Sequence, residues 1–246
     1  MDEHILSREA TIEFRPFLWL FADAAYYADL AGDKNIEREF RASHARCSIL
    51  MTVFAVEGAL NSALIARFSS KRLFRRIERF PFPEKTEFVA HTFGAQAKID
   101  SNAGFLLDME ELVDVRNQQV HPKNTRKKMV GGKDAQGKPS YRNPKPGFSP
   151  RLRIPDSPSE WDHDTAVTAI RVADRFLSQF FTDICLLKEA DKTTIFLSGL
   201  EGDGWTATIH EQHAEKQLQK SRAGLKLGLQ YMPDSFLNMQ HLPEGN

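Results

Sequence analysis

Phe105-Leu106-Leu107-Asp108-Met109-Glu110-Glu111-Leu112-Val113-Asp114-Val115-Arg116-Asn117-Gln118-Gln119-Val120-His121-Pro122 is the stretch on which the fold turns. Phe105, Met109, Leu112, Val113 and Val120 share one stripe when wound as a helix, because residues three and four apart are neighbours there. Ser101-Asn102 supplies a start signal. Pro122 supplies the stop, since its ring clashes with the carbonyl four residues back and biases His121 out of helical geometry. The spacing predicts a helix over about 103–120, with His121 at or just past its C-terminus. Arg116 falls on the apolar stripe. It is therefore expected to point inward or into a cleft, where an unpaired guanidinium is very costly.

Its partner is expected on a second, longer helix over about 36–68. There the stripe Leu50, Val53, Phe54, Leu60, Leu64 is interrupted by Glu57, and Asn61 lies one turn further on. A Glu57–Arg116 contact across the two helices satisfies both groups, with Asn61 as further support. Working outward, Phe14, Phe17, Leu18, Phe21, Ala25 and Ala28 keep helical spacing. That run holds Arg15, Asp23 and Asp29, which marks a core helix rather than a membrane span. A short basic piece runs from Lys71 to Arg79 and ends at Pro81-Phe82-Pro83; Phe74 and Ile77 are expected to anchor it. A helix is expected over about 84–98, and Asp162 opens the last strong one. Beyond Ala190 the pattern weakens. Thr193 to Leu197 and Trp205 to Ile209 are expected to pair as a hairpin. The expected fold is all-α, an up-and-down bundle of four to five helices with a long basic inserted loop and a small C-terminal β-hairpin. The bundle takes residues 1–190, with the loop at 122–160, and residues 191–246 form a C-terminal appendage.

The charge is unevenly placed. Across 246 residues, 33 basic and 33 acidic side chains cancel. Yet Pro122 to Pro155 holds ten basic residues and one acid, Asp134, which points to a polyanionic partner. Lys123, Arg126, Lys127 and Lys128 follow His121 directly. Tyr141 and Phe148 add rings able to stack on bases. Cys47 and Cys185 are the only cysteines, too few for a disulfide framework or a metal cluster, and are expected to be buried thiols. His210 and His213 have a metal-like spacing but no third ligand nearby, so neither metal nor cofactor is expected. Trp19, Trp161 and Trp205 are read as packing residues. Met1-Asp2-Glu3-His4 lacks a signal-peptide pattern, so a cytoplasmic protein is expected.

The pairing of Arg116 with His121 is the chemistry-bearing feature. It combines a fixed cation with a ring that exchanges a proton near neutral pH, the groups needed for metal-free RNA cleavage. Arg116-Asn117-Gln118-Gln119-Val120-His121 resembles the R-x(4–6)-H signature of the HEPN superfamily, in which a polar residue, here Asn117, follows the arginine. A second pair, Arg38 and His44, shares the spacing but sits on a charged helical surface. The resemblance covers about residues 10–190. It implies a helical bundle that dimerises with two motifs facing one cleft. It also implies a metal-independent endoribonuclease of toxin–antitoxin or antiviral systems, with RNA as substrate and an antitoxin protein as a further partner. In that reading Arg116, Asn117 and His121 are catalytic. Lys123, Arg126, Lys127 and Lys128 track the RNA backbone. The alternative is a non-catalytic HEPN module that binds RNA, a nucleotide or a partner protein. A third reading is a helical scaffold in which Arg116 is purely structural.

Overall fold

The computed structural model describes residues 10–68, 70–95, 99–121, 130–133, 135–142, 147–203 and 205–238. Helix makes up 63% and strand 9%, so the chain is broadly all-α with a small β part. Strand β1 (Ala10–Glu13) leads into α1 (Phe17–Gly32) and the long α2 (Arg38–Arg67). Then come α3 (Lys71–Ile77), α4 (Phe82–Thr92) and α5 (Gly104–Val120). A hairpin of β2 (Val130–Lys133) and β3 (Pro139–Arg142) precedes α6 (His163–Leu177), which runs on as a π-helical segment, Ser178–Ile184. The chain ends in α7 (Glu189–Phe196), β4 (Gly199–Gly202), β5 (Trp205–Thr208), α8 (Gln212–Leu225) and α9 (Asp234–Leu237).

Helix α2 is the axis of the molecule and packs against α1, α4, α5, α6 and α7. Its contact with α1 is the most extensive, because both faces are built from small residues: Ala24, Ala25, Ala28 and Ala31 meet a helix carrying Ala45, Ala55, Ala59 and Ala63, all buried. Small side chains let helix axes approach closely. Ser48 uses the proximity to donate to the Ala24 carbonyl (2.8 Å). At Gly58 a Cβ would sit 3.3 Å from Pro16 Cγ, so the start of α1 rests on a position with no side chain. By length and composition α2 is apolar enough to cross a membrane, but 61% of its apolar window is buried inside the molecule, the placement of a core helix.

Aromatic rings fill the other side of the core. Phe17 meets Phe196 edge-on at 4.9 Å between centroids, Phe176 stacks on Phe180 at 5.2 Å, and Tyr231 closes on Phe196 at 5.1 Å. Such pairs each contribute about 0.5–1.5 kcal/mol beyond area burial. Leu218, Leu225, Tyr231, Met232 and Phe236, all beyond residue 190, are buried in the same cluster as α1 and α6.

The hairpin near the C-terminus exists, but with a different first strand. Thr193–Leu197 is not a strand: residues 193–196 are the end of α7, and β4 begins at Gly199. The β-branched pair Thr193 and Thr194 tolerates the helix by donating its hydroxyls to the Glu189 (3.1 Å) and Ala190 (2.9 Å) carbonyls one turn back. β4 pairs antiparallel with β5, and β1 adds on its other side, giving the order β1-β4-β5. Gly202 faces Trp205 across the pair, and the indole occupies the space a Cβ would need, 2.4 Å away.

Part of the basic insertion lies among the described residues. Beyond β2 and β3, residues 147–155 dock onto α5: Glu111 accepts from the Arg151 and Leu152 amides, and Asp108 pairs with both Arg151 (2.6 Å) and Arg175. Arg151 and Arg153 are thereby used in the fold, the latter over the Phe148 ring at 4.9 Å. The helix expected over 84–98 is α4, which begins at Phe82 and ends at Thr92, before the turn at Phe93-Gly94, where Gly94 has positive φ.

Candidate functional site

The end of α5 carries the site residues. Leu106, Met109, Leu112, Val113 and Arg116 form its buried face, so the stripe expected from sequence does place Arg116 inside, 9% exposed. Val120 falls outside the core, because the last turn projects beyond it. The Arg116 guanidinium donates through Nη2 to Glu57 Oε1 on α2, and its plane lies over the Phe54 ring, 5.3 Å from the centroid. Its Nε is buried with no partner among the described residues.

A fourth member of this cluster escaped the sequence reading. Lys85 on α4 is 6% exposed. Its Nζ donates to Asn61 Oδ1 (3.2 Å) and to the Glu78 carbonyl (2.7 Å). Asn61 thus supports Lys85 rather than Arg116. Burial pushes the Lys85 ammonium below the usual lysine range; Glu57 and Glu78 oppose that shift, and Arg116 adds to it. Two buried cations thus lie near the Glu57 carboxylate, whose side chain is 32% exposed; Arg116 pairs with it and Lys85 feels it only at longer range. The signal was present in the sequence. Phe82, Lys85, Thr86, Val89 and Ala90 keep helical spacing and are all buried, so Lys85 interrupts an apolar stripe just as Glu57 and Arg116 do.

His121 is placed differently. Its amide still donates to the Asn117 carbonyl (2.9 Å), so it closes the last helical turn, while its own φ of −121° and ψ of 65° have left helical geometry. The side chain is exposed and has no partner among the described residues. Five residues of helix turn the chain by about 140° beyond one full turn, so within one copy Arg116 faces the core and His121 faces solvent. Asn117, half-buried, is four residues before His121 and shares its face. Glu110 and Asp114 lie on that face too. Burial, then Asp114 and Glu84, raise the Glu110 carboxyl above the usual range. Glu110 and Asp114 make this part of the face acidic.

Lys123, Arg126, Lys127 and Lys128 lie outside the described residues, as does the side chain of Tyr141. Two clefts lie elsewhere. One of about 320 Å³, under the sheet, is lined by Arg15, Thr194 and Ser198; another of about 400 Å³ is lined by Arg67, Phe93 and Cys185. Neither includes Arg116 or His121. His210 pairs with Glu215 (3.2 Å) and His213 stacks on Trp19. Among the described residues no group of three potential ligands is arranged to hold a metal. Compared with models of known families, with curated proteins and with solved structures, the chain matches none.

Proposed function

We propose that the chain is a metal-independent endoribonuclease of the HEPN kind, an up-and-down helical bundle acting as a homodimer in the cytoplasm in toxin–antitoxin or antiviral defence. The observation that carries the reading is the exit of α5. An exposed imidazole, without a partner among the described residues, stands beside an amide on the same face, just beyond a guanidinium held in place by Glu57 and Phe54. In this reading the ribose 2′-oxygen attacks the adjacent phosphorus and the bond to the 5′-oxygen breaks. His121 takes the proton from the 2′-hydroxyl or delivers one to the leaving oxygen. Arg116 offsets the charge developing on the phosphate. Asn117 orients the ring. Lys123, Arg126, Lys127 and Lys128, which follow at once in sequence, hold the strand. Because Arg116 and His121 diverge within one copy, the working cleft is one that a second copy completes.

A second reading has its own observation. The Glu57–Arg116–Phe54 contact is already a full structural role, which favours a non-catalytic module binding RNA, a nucleotide or a partner protein. Incubation with a mixed RNA pool in EDTA separates the two. The nuclease reading expects new 2′,3′-cyclic phosphate ends that disappear in His121→Ala and Arg116→Ala. Intact RNA with the wild-type protein leaves the binding module.

A further inference from the structure

Residues 71–79 hold five basic side chains and one acid, Glu78. Phe74 and Ile77 tie α3 to the core, as the sequence suggested. That leaves Arg72, Arg75, Arg76 and Arg79 exposed at spacings of three, four and seven, so they line one face. Among the described residues none of the four has an ion-pair or hydrogen-bond partner. The other arginines near them differ: Arg67 is paired with Asp191 at 3.0 Å, and Arg116 with Glu57. Four unneutralised guanidiniums on two turns repel one another unless an anion joins them. The planar fork of arginine suits phosphate oxygens better than a lysine ammonium does.

Two neighbours narrow the partner. Phe80, 40% exposed, directly follows Arg79, and its ring is held edge-on by Phe88 (6.2 Å), which itself stacks on Phe68 (5.6 Å). It is a pre-positioned ring with one side open, as base stacking requires. The Glu78 carbonyl is held by buried Lys85, so α3 adjoins the Glu57–Arg116 cluster. A bilayer is a poorer fit, because Leu73 and Phe80, each 40% exposed, offer too little apolar area to insert.

We infer that the arginine face of α3, with Phe80 at its end, is a docking surface for single-stranded RNA. The face is about 10 Å long, so it meets a short run of successive phosphates on one strand. The inference rests on RNA being the partner but not on its being cut.

The test uses the full chain carrying His121→Ala, so that cleavage does not consume the probe. A labelled single-stranded RNA of fixed length is titrated by fluorescence anisotropy at several salt concentrations. A DNA duplex and phosphatidylserine vesicles serve as further arms. Replacing Arg72, Arg75, Arg76 and Arg79 by Gln is expected to weaken RNA binding at least about tenfold and to reduce the log–log salt slope by about 2 to 3. Phe80→Ala is expected to weaken it by about tenfold with little change in slope. Should the fourfold variant not fold, the pairs Arg72→Gln/Arg76→Gln and Arg75→Gln/Arg79→Gln each show part of the loss. Unchanged affinity and slope in these variants, no RNA binding at all, or tighter binding to duplex or vesicles overturns the inference. RNA held through α3 by a wild-type protein that cuts nothing sinks the nuclease reading alone. Cleavage that is indifferent to α3 sinks this inference alone.

Discussion

The two sides of the last turns of α5 differ in how much of their chemistry is already committed. On the inner side, Arg116 is bound to Glu57, covered by Phe54 and neighboured by Lys85. On the outer side, Asn117 is half-buried and His121 is exposed, with no partner among the described residues. A paired guanidinium and an exposed imidazole lie five residues apart, and helix geometry separates them. A spacing that reads as one site is thus divided, in a single copy, between a structural half and a reactive half. Substitutions at four positions test that division.

The largest effect is expected on the inner side. Arg116→Ala removes a buried cation, opens space beside Phe54 and strands Glu57. Truncating one partner of a fully buried pair costs about 3–5 kcal/mol. Glu57 reaches solvent, so about 2–4 kcal/mol is expected here, or a melting temperature lower by about 5–15 °C. Arg116→Met, which keeps most of the volume, should lose less. A melting temperature unmoved by Arg116→Ala would show that the contact fixes nothing, and the inner side would then be as uncommitted as the outer one.

Lys85→Met comes next. It deletes hydrogen bonds to Asn61 and the Glu78 carbonyl, at a cost of about 1–3 kcal/mol. It also has a pH signature. The Lys85 ammonium titrates below the ordinary 10.5, burial being the main cause. Between that lowered value and 10.5 the unfolded chain binds more protons than the folded one. Stability therefore rises with pH across that window. Denaturation series at stepped alkaline pH should show the wild-type rise flattened in Lys85→Met. An identical slope in both proteins would remove Lys85 from the cluster's electrostatics.

Much of this inner side was legible in the residues, for one reason. A charge that interrupts an apolar stripe has to find a partner, and Glu57 and Arg116 each do so on helices whose limits the sequence places within a few residues. Lys85 obeys the same rule on α4, but it sits between Glu84 and Glu87 in a run that reads as a solvated surface. The strand β1 was beyond local reasoning, because its partner β4 lies nearly 190 residues away. Residues 226–236 were illegible for a different reason. Lys226 and Leu229 adopt positive φ, so Leu227, Leu229, Tyr231 and Met232 reach the core along an irregular path with no period to detect. The position of His121 at the C-terminal end of α5 follows from Pro122. Its angular separation from Arg116 was not drawn from the same helix, although the spacing contained it.

A smaller effect is expected where α5 holds the returning segment. Asp108→Ala frees Arg151 and Arg175, whose side chains are 42% and 50% exposed, so screening limits the loss to about 1 kcal/mol. The loss should shrink further at high salt. A loss of several kcal/mol would mean that the 147–155 segment is part of the core rather than laid upon it.

His121→Ala is expected to have the smallest effect on stability and is the sharpest test of the comparison. An exposed side chain with no partner among the described residues is expected to contribute within about 0.5 kcal/mol of nothing, so its melting temperature should match the wild type. If RNA cleavage disappears while stability stays fixed, the outer side of α5 is reactive. If His121→Ala costs as much stability as Arg116→Ala, the imidazole is engaged in a packing contact. It is then no longer free to move a proton, and the division of the motif into a structural and a reactive half fails at its reactive end.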